Sequence, residues 1–349
     1  HDLDAIEAQR PLALMSSDYH TLWCNTRALE LAGVLHGAQT APGSEIVMGD
    51  DGLASGQINE RDAFSLVLNA IPAPSEAEKD RLLRLALAEA ASWGITSVHN
   101  MNGDAEQLAL YAGMAVRGDL GLRVYMAYSV RPHTPFAALA AEAAALAAQY
   151  REGMVRCRSV KYFMDGVIDS YTGFMLDPYP LRPDTCGEVL WTAEEFNRYA
   201  VESDRLGLQI VVHAIGDAAV RRTLDGYAAA QAANGRRDSR HRIEHIEVLH
   251  PADLPRFRKL GVVASMQPLH ATRPERNYFV YWADVVGRAH WRYAFPARDL
   301  QEAGAPLTFG SDWPIVSMDP FRGIEAAVNR QAWAADLPSQ AVSMAAALT

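Results

Sequence analysis

Five times in this chain a helical stretch ends on glycine and a short apolar or β-branched run follows. Ala-Ser-Trp-Gly94 leads into residues 95–100, Gly-Asp-Leu-Gly121 into 122–128, and Arg-Leu-Gly207 into 208–213. Lys-Leu-Gly261 leads into 262–267, and Glu-Ala-Gly304 into 305–310. A glycine closing a helix supplies the left-handed residue its end requires. Uninterrupted apolar runs fit strands covered on both faces. Two more such runs occupy 159–164 and 241–245. Strands alternating with helices mean a parallel sheet with crossover helices. The expected strands lie near 95–100, 122–128, 159–164, 208–213, 241–246, 262–267 and 306–311. Helix starts agree: Thr192-Ala-Glu-Glu195 reads as a capping box, and Ser75 with Glu78 as another.

Seven βα strands are one short of a closed (β/α)8 barrel. The 349 residues suit that fold with insertions. The rival, an open doubly wound sheet, usually carries a glycine-rich phosphate loop after its first strand. The chain has neither GxGxxG nor a P-loop. Residues 1–90 break the rhythm. Pro11-Leu-Ala-Leu-Met15 reads as a strand, Thr26 to Gly33 as a short helix, and Asp50-Asp51-Gly52 as a hairpin turn. The expected division is therefore 1–90, a connection ahead of the first unit, and 91–349, the barrel.

Composition narrows the function. Hydrophobic residues make up 49% and charged ones 21%, a globular mixture, and the formal net charge is −10. An acidic chain lacks the clustered basic surface that nucleic acid requires. No apolar run approaches the roughly 18 residues that span a bilayer. The three cysteines, Cys24, Cys157 and Cys186, have no metal-site spacing and read as reduced and structural. The chain starts at His1 and stops in a helix-like Ala-Ala-Leu-Thr, so both ends read as cuts through a longer protein. Compartment is unreadable. The cytoplasm is the default, and a signal peptide upstream would change it.

In a parallel barrel the site forms where strands end. The residues there are His99, Lys161, Asp165, His213, Asp217, His245, Gln267 and Asp312. Val-Val-His213, Val-Lys161-Tyr-Phe and Phe-Gly-Ser-Asp312 stand in apolar contexts. A charge buried there is costly unless it is paired or binds metal. Imidazoles and a carboxylate from separate strands suit a first-row divalent ion, zinc first among them. Such an ion polarises a carbonyl and lowers the pKa of water towards ~7. Asp312 then serves as base. Lys161 fits as a carbamate, which turns it into a carboxylate able to bridge two ions. Plainer roles stand beside these. A strand-end histidine can be a hydrogen-bonded core residue, and a buried lysine an ion-pair partner. Asp312 can cap a helix opened by Ser-Asp-Trp-Pro314, and Asp217 can be an N-cap.

In order, the chain carries Ser16-Ser-Asp-Tyr-His20 with Trp23 and Asn25, Gly94-Ile-Thr-Ser-Val-His99, and Val160-Lys-Tyr-Phe-Met-Asp-Gly166. Val212-His-Ala-Ile-Gly-Asp217, His241-Arg-Ile-Glu-His245, Ala264-Ser-Met-Gln-Pro268 and Gly310-Ser-Asp-Trp-Pro314 follow. This series resembles the amidohydrolase superfamily, and within it amidohydrolase family 3, the branch containing N-substituted formamide deformylase. The resemblance spans nearly the whole chain. It implies a TIM-type (β/α)8 metallo-dependent hydrolase barrel with Lys161 on strand 4, carboxylated at N6, His213 on strand 5, His245 on strand 6 and Asp312 on strand 8. It implies that His213 and His245 hold one metal, that Lys161 bridges, and that Asp312 helps hold a second metal and acts as base. Residues 1–90 would be an insertion between strands 1 and 2, covering the site. His20 and Trp23 would then line a substrate pocket with His99, Asp165, Gln267 and Trp313; loop packing is the plainer role for His20 and Trp23.

The chain departs from the family in one respect above all. The family opens its barrel with His-x-His on strand 1, and no His-x-His occurs here. The expectation is a barrel lacking strand 1 and the family's flanking β domain, with weaker metal binding than in the complete protein. An open sheet edge invites pairing, so a homodimer is also expected. Asn100 stands where the family has Asp. The implied activity is hydrolysis of a C–N bond in an amide, formamide or cyclic amide, on a small molecule whose identity the sequence does not give. Trp23, Phe174, Tyr278 and Trp313 favour an apolar or aromatic group. The alternative is a non-catalytic or binding protein on the same barrel, or an inactive fragment lacking the His-x-His pair.

Overall fold

The computed structural model describes residues 2–16, 20–41, 43–271 and 278–348, with the side chains of Arg61 and 278–280 also set aside. The middle of the Ser16–His20 motif and the Tyr278 side chain therefore lie outside the described residues. The chain divides into two compact units, His1–Lys79 and Asp80–Thr349. The division falls inside a helix, Glu76–Ser92, whose first turn Ser75 caps through its Oγ at 3.3 Å from the Glu78 amide.

The first unit is a four-stranded antiparallel sheet in the order β1-β2-β4-β3. Its strands are β1 (Ala13–Met15), β2 (Thr21–Cys24), β3 (Glu45–Met48) and β4 (Ala54–Asn59), with helices α1 (Thr26–Ala32) and α2 (Arg61–Leu68). The expected strand, helix and hairpin turn are all present. Leu22, Cys24, Leu29, Ile46, Ile58 and Phe64 form its core. Asn25 explains its place in the sequence motif. Its Oδ1 accepts from the Ala28 and Leu12 amides at 2.9 Å, and its Nδ2 donates to the carbonyls of Glu7 and Arg10. It caps α1 and ties down the chain before it.

The second unit holds all seven expected strands in one parallel sheet, curled and flanked by helices, in which each strand lies beside its predecessor in sequence. They are β5 (Ser97–Gly103), β6 (Arg123–Ser129), β7 (Val155–Phe163), β8 (Gln209–Ala214), β9 (Arg242–His245), β10 (Val263–Met266) and β11 (Leu307–Phe309). The helices are α3 (Glu76–Ser92), α4 (Ala105–Arg117), α5 (Ala144–Gln149), α6 (Ala193–Arg205), α7 (Asp217–Asn234), α8 (Leu254–Leu260), α9 (Tyr278–Val286), α10 (Ala297–Glu302), α11 (Pro320–Val328) and α12 (Met344–Leu348). The capping box at Thr192 is present and opens α6. Gly94, Gly207, Gly261 and Gly304 adopt positive φ as expected. The glycine closing α4 is Gly118, at φ 76°, and not Gly121. No helix among the described residues is long and apolar enough to cross a membrane.

Strand period fixes which side chains face inward. Ile210, Val212, Ala214, Ile243, Ala264 and Met266 join the main hydrophobic cluster with Phe196, Trp191 and Tyr162. That leaves Val211, His213, Glu244 and Ser265 on the concave face. The strand ends that lie away from the site are locked by Asp204. Its Oδ1 meets Arg237 Nε at 2.7 Å and His241 Nε2 at 3.1 Å, and Asn234 donates to its Oδ2 at 2.9 Å. His241 Nδ1 accepts from the Ile210 amide, so Nε2 carries the proton. Burial works against the Asp204 carboxylate, but the bonds from His241 and Asn234 and the charge of Arg237 outweigh it and hold the pKa to about 2. Asp204→Ala is expected to cost about 3 kcal/mol in urea denaturation at neutral pH, because it strands Arg237 and His241. The folded pKa lies below the unfolded value of about 3.9. The contribution is therefore full above about pH 4 and fades as pH falls towards 2. A gap between wild type and variant that stays constant to pH 2 would contradict this account.

Candidate metal centre

Parallel register carries the candidate residues to one end of the sheet. Lys161 on β7 pairs with Ser129 of β6 and Val211 of β8, and Phe163 pairs with His213. His213 in turn lies level with Glu244 on β9, and Ala214 with His245. Lys161, His213 and His245 are all buried. The Lys161 ammonium sits 4.6 Å over the Phe163 ring and makes no ion pair among the described residues. Burial lowers its pKa to about 8, although Glu244 and Asp312 pull the other way. A lysine placed so is often the neutral amine near pH 8.

The His213 ring is oriented from behind. Its Nε2 lies 2.9 Å from the Gly166 carbonyl, which can only accept, so Nε2 carries the hydrogen. The basic lone pair then belongs to Nδ1. Metal-binding histidines typically donate their second nitrogen to a carbonyl or carboxylate in this way. Asp165 builds that backing. Its carboxylate accepts the amides of Phe174 at 2.9 Å, Ile215 at 3.1 Å and Gly216 at 2.9 Å, and stands 3.7 Å from His213 Nε2. The structure thus places Asp165, expected among the substrate-pocket residues, as the anchor of the loops after β7 and β8.

The His213 and His245 rings meet edge to face with centroids 4.5 Å apart. His245 lies beside His270 in turn, at 6.0 Å and 14° between planes. His270 ends a 3-10 turn, Pro268–His270, directly after β10. Donor atoms of His245, His270 and Asp312 all fall within 4.8 Å of one another. His245 and Asp312 both hold positive φ, 78° and 57°. Such backbone costs of order 1–3 kcal/mol for a non-glycine residue and gathers at functional sites. Asp312 is exposed, against the buried position its apolar neighbours predict. β11 stops at Phe309, three residues before Asp312. Asp312 caps no helix, since the next one is α11, capped by Asp319. Asp217 is the first residue of α7 and not its N-cap, which is Gly216, and its carboxylate accepts the Leu176 amide at 2.8 Å.

The other expected residues are spread out. Gln267 is buried, with Nε2 3.4 Å from Glu244 and no hydrogen-bond partner for Oε1 among the described residues. His99 lines the concave face against Tyr125, with centroids 5.1 Å apart. His99 is exposed to solvent, yet crowding by protein atoms, reinforced by the charge of Arg242, lowers its pKa. Trp313 is exposed. His20 and Trp23 belong to the first unit, where His20 Nδ1 lies 2.9 Å from Glu60 and Trp23 is exposed on β2. Sequence reasoning passed over Arg242, Glu244 and His270. Arg242 Nε and Glu244 Oε1 lie 2.6 Å apart, and Ser265 donates to Glu244 at 2.6 Å. Period two in Arg242-Ile-Glu244 was the available signal.

Two or three imidazoles, a carboxylate and a buried lysine at the carboxyl ends of parallel strands make a donor set that fits a divalent ion. The molecule is an α/β protein of the barrel type with a candidate metal centre. The chain belongs to the amidohydrolase family, whose profile matches residues 1–349. Protein LONG AFTER FAR-RED 3 of Arabidopsis thaliana is 28% identical over 99% of this chain and 60% of its own length. The putative amidohydrolase YtcJ of Bacillus subtilis is 28% identical over 95% and 60%, and an N-substituted formamide deformylase of Arthrobacter pascens 24% over 96% and 61%. The chain thus spans about 60% of the length of these curated relatives. Among solved structures, a metal-dependent hydrolase of Pyrococcus furiosus superposes with a TM-score of 0.71 at 24% identity. That match covers 99% of this chain and 67% of that one, and it establishes the shared fold.

Proposed function

We propose that the protein is a metal-dependent hydrolase of C–N bonds in amides, formamides or cyclic amides. The observation that carries this reading is that Lys161, His213 and His245 lie buried at one end of β7, β8 and β9, with donor atoms of His245 and Asp312 within 4.8 Å of each other. His213 and His245 would hold one ion and Asp312 would help hold another. Lys161 would bridge them as a carbamate, for which the neutral amine favoured by its burial is the reactive form. Zinc suits the donors. When bound, the ion supplies Lewis acidity and a nucleophilic water at neutral pH. Asp312 takes the proton released as water oxygen bonds to the carbonyl carbon. It returns that proton to the nitrogen as the C–N bond breaks, giving a carboxylic acid and an amine. Gln267 Oε1 is an acceptor for a substrate N–H. A His-x-His strand of the kind the resemblance implies would lie between the edges β5 and β11 and pair with both to close the barrel, with a β domain joined to it.

The test is amine release from a panel of N-formyl and N-acyl amines by the full protein. Release is expected from at least one class. Chelation should lower the rate at least ~100-fold, and zinc or manganese should restore it. Turnover that persists after complete metal removal would overturn the reading.

A further inference from the structure

We propose that His270 is itself a metal ligand, joining His245 and Asp312 in one three-ligand site at the turn after β10, so that His245 and Asp312 share an ion instead of serving separate ones. The proposal rests on the reading that this centre holds a divalent ion. It adds a donor from a strand end to which the family resemblance gives no ligand.

Three observations support it. First, donor atoms of these three residues lie within 4.8 Å of one another, the only such set of three or more metal-binding side chains among the described residues. An ion bonded at about 2.0–2.2 Å would draw tetrahedral donors to about 3.4 Å apart. The contraction is at most about 1.4 Å, within reach of side-chain rotation. Second, the residues differ in how far they can yield. His245 is buried, whereas His270 is half-buried and Asp312 exposed. A fixed imidazole with two adjustable partners can close on an ion without disturbing the sheet. Third, the chemistry of the donors is right. Two imidazoles and one carboxylate are the protein share of many catalytic zinc sites and leave positions open for water and substrate. Pro268 starts the turn that carries His270, and the His270 amide closes it on the Gln267 carbonyl at 3.0 Å. That turn brings the ring beside His245.

Simple ring packing is the competing account of the His245–His270 stack. It predicts that phenylalanine replaces His270 without consequence for metal. The test titrates the metal-free protein with Co²⁺, following visible absorption and equilibrium dialysis, in wild type, His270→Phe, His270→Gln and His213→Asn. Loss of an outer partner of a ligand already costs about 10–100-fold in affinity. Losing a ligand should cost more, so both His270 variants are expected to bind at least ~100-fold more weakly with an altered Co²⁺ spectrum. Matching melting curves of the metal-free proteins establish that the fold is kept. If one variant melts early, the other carries the comparison. Wild-type affinity and spectrum in the His270 variants, with binding lost in His213→Asn, would overturn the proposal and leave the metal centre standing. Failure of the wild type to bind Co²⁺ would overturn both.

Discussion

Asp312→Asn is expected to lower kcat/KM for amide hydrolysis at least ~1,000-fold while leaving the melting temperature in place. The substitution removes the carboxylate that accepts the proton, and general-base catalysis is worth about 10²–10⁴-fold. It also replaces an anionic donor with a neutral amide oxygen, which weakens metal retention. Two features keep the fold out of the result. Asp312 is exposed, so no buried charge is lost. Its φ of 57° is left-handed, a region that asparagine occupies at least as readily as aspartate. The variant should therefore unfold within about 0.5 kcal/mol of wild type. Steady-state kinetics with metal in excess separates the two losses, because saturating metal restores retention and leaves the base missing. A variant that retains even a tenth of wild-type kcat/KM under those conditions removes Asp312 from the role of base.

The strands of the second unit are legible because each carries an apolar run packed against helices, and most follow a helix that ends on glycine. β8 is the plainest case: Ile210, Val212 and Ala214 pack outward, while Val211 and His213 face in. The glycine before β6 was misplaced for a physical reason. The stretch offers two glycines: α4 closes on Gly118, whose left-handed φ of 76° lets its amide bond the carbonyls of Met114 and Ala115, and Gly121 follows three residues later.

The site was legible only as far as strand periodicity reached. Lys161 and His213 sit within strands, so their inward direction follows from spacing. Asp312 lies past its strand, where a left-handed turn sets its exposure and no pattern predicts it. His270 escaped notice because it follows Pro268 in a turn, beyond the last inward position of β10. Glu244 lies two residues from Arg242 on the same face, and its partner Ser265 comes from the next strand. Asp165 was legible as a strand-end acid, but not as an acceptor of three amides from two later segments.

Asp165→Ala should therefore be the most damaging single change to the frame of the site, at about 3–5 kcal/mol in urea denaturation of the metal-free protein. Hydrogen bonds to a charged group contribute about 1.5–3 kcal/mol each, and here three amides would lose their acceptor away from water. The loops cannot easily close the gap. Gly216 lies so tightly against the chain that a Cβ there would stand 2.1 Å from the Phe174 carbonyl oxygen. The backbone is already in contact on that side, so the Ile215 and Gly216 amides have nowhere to turn. Asp165→Asn separates shape from acceptor capacity. Its amide fills the same volume, but its NH2 faces an N–H where a carboxylate oxygen stood, so it should recover only part of the loss. Because Asp165 and Gly166 together back His213, both variants should also hold metal about 10–100-fold more weakly. If Asp165→Ala unfolds within 1 kcal/mol of wild type and binds metal normally, the three amide bonds do not hold the loops, and the Gly166 carbonyl with the Phe163 and His245 rings orients His213 without Asp165.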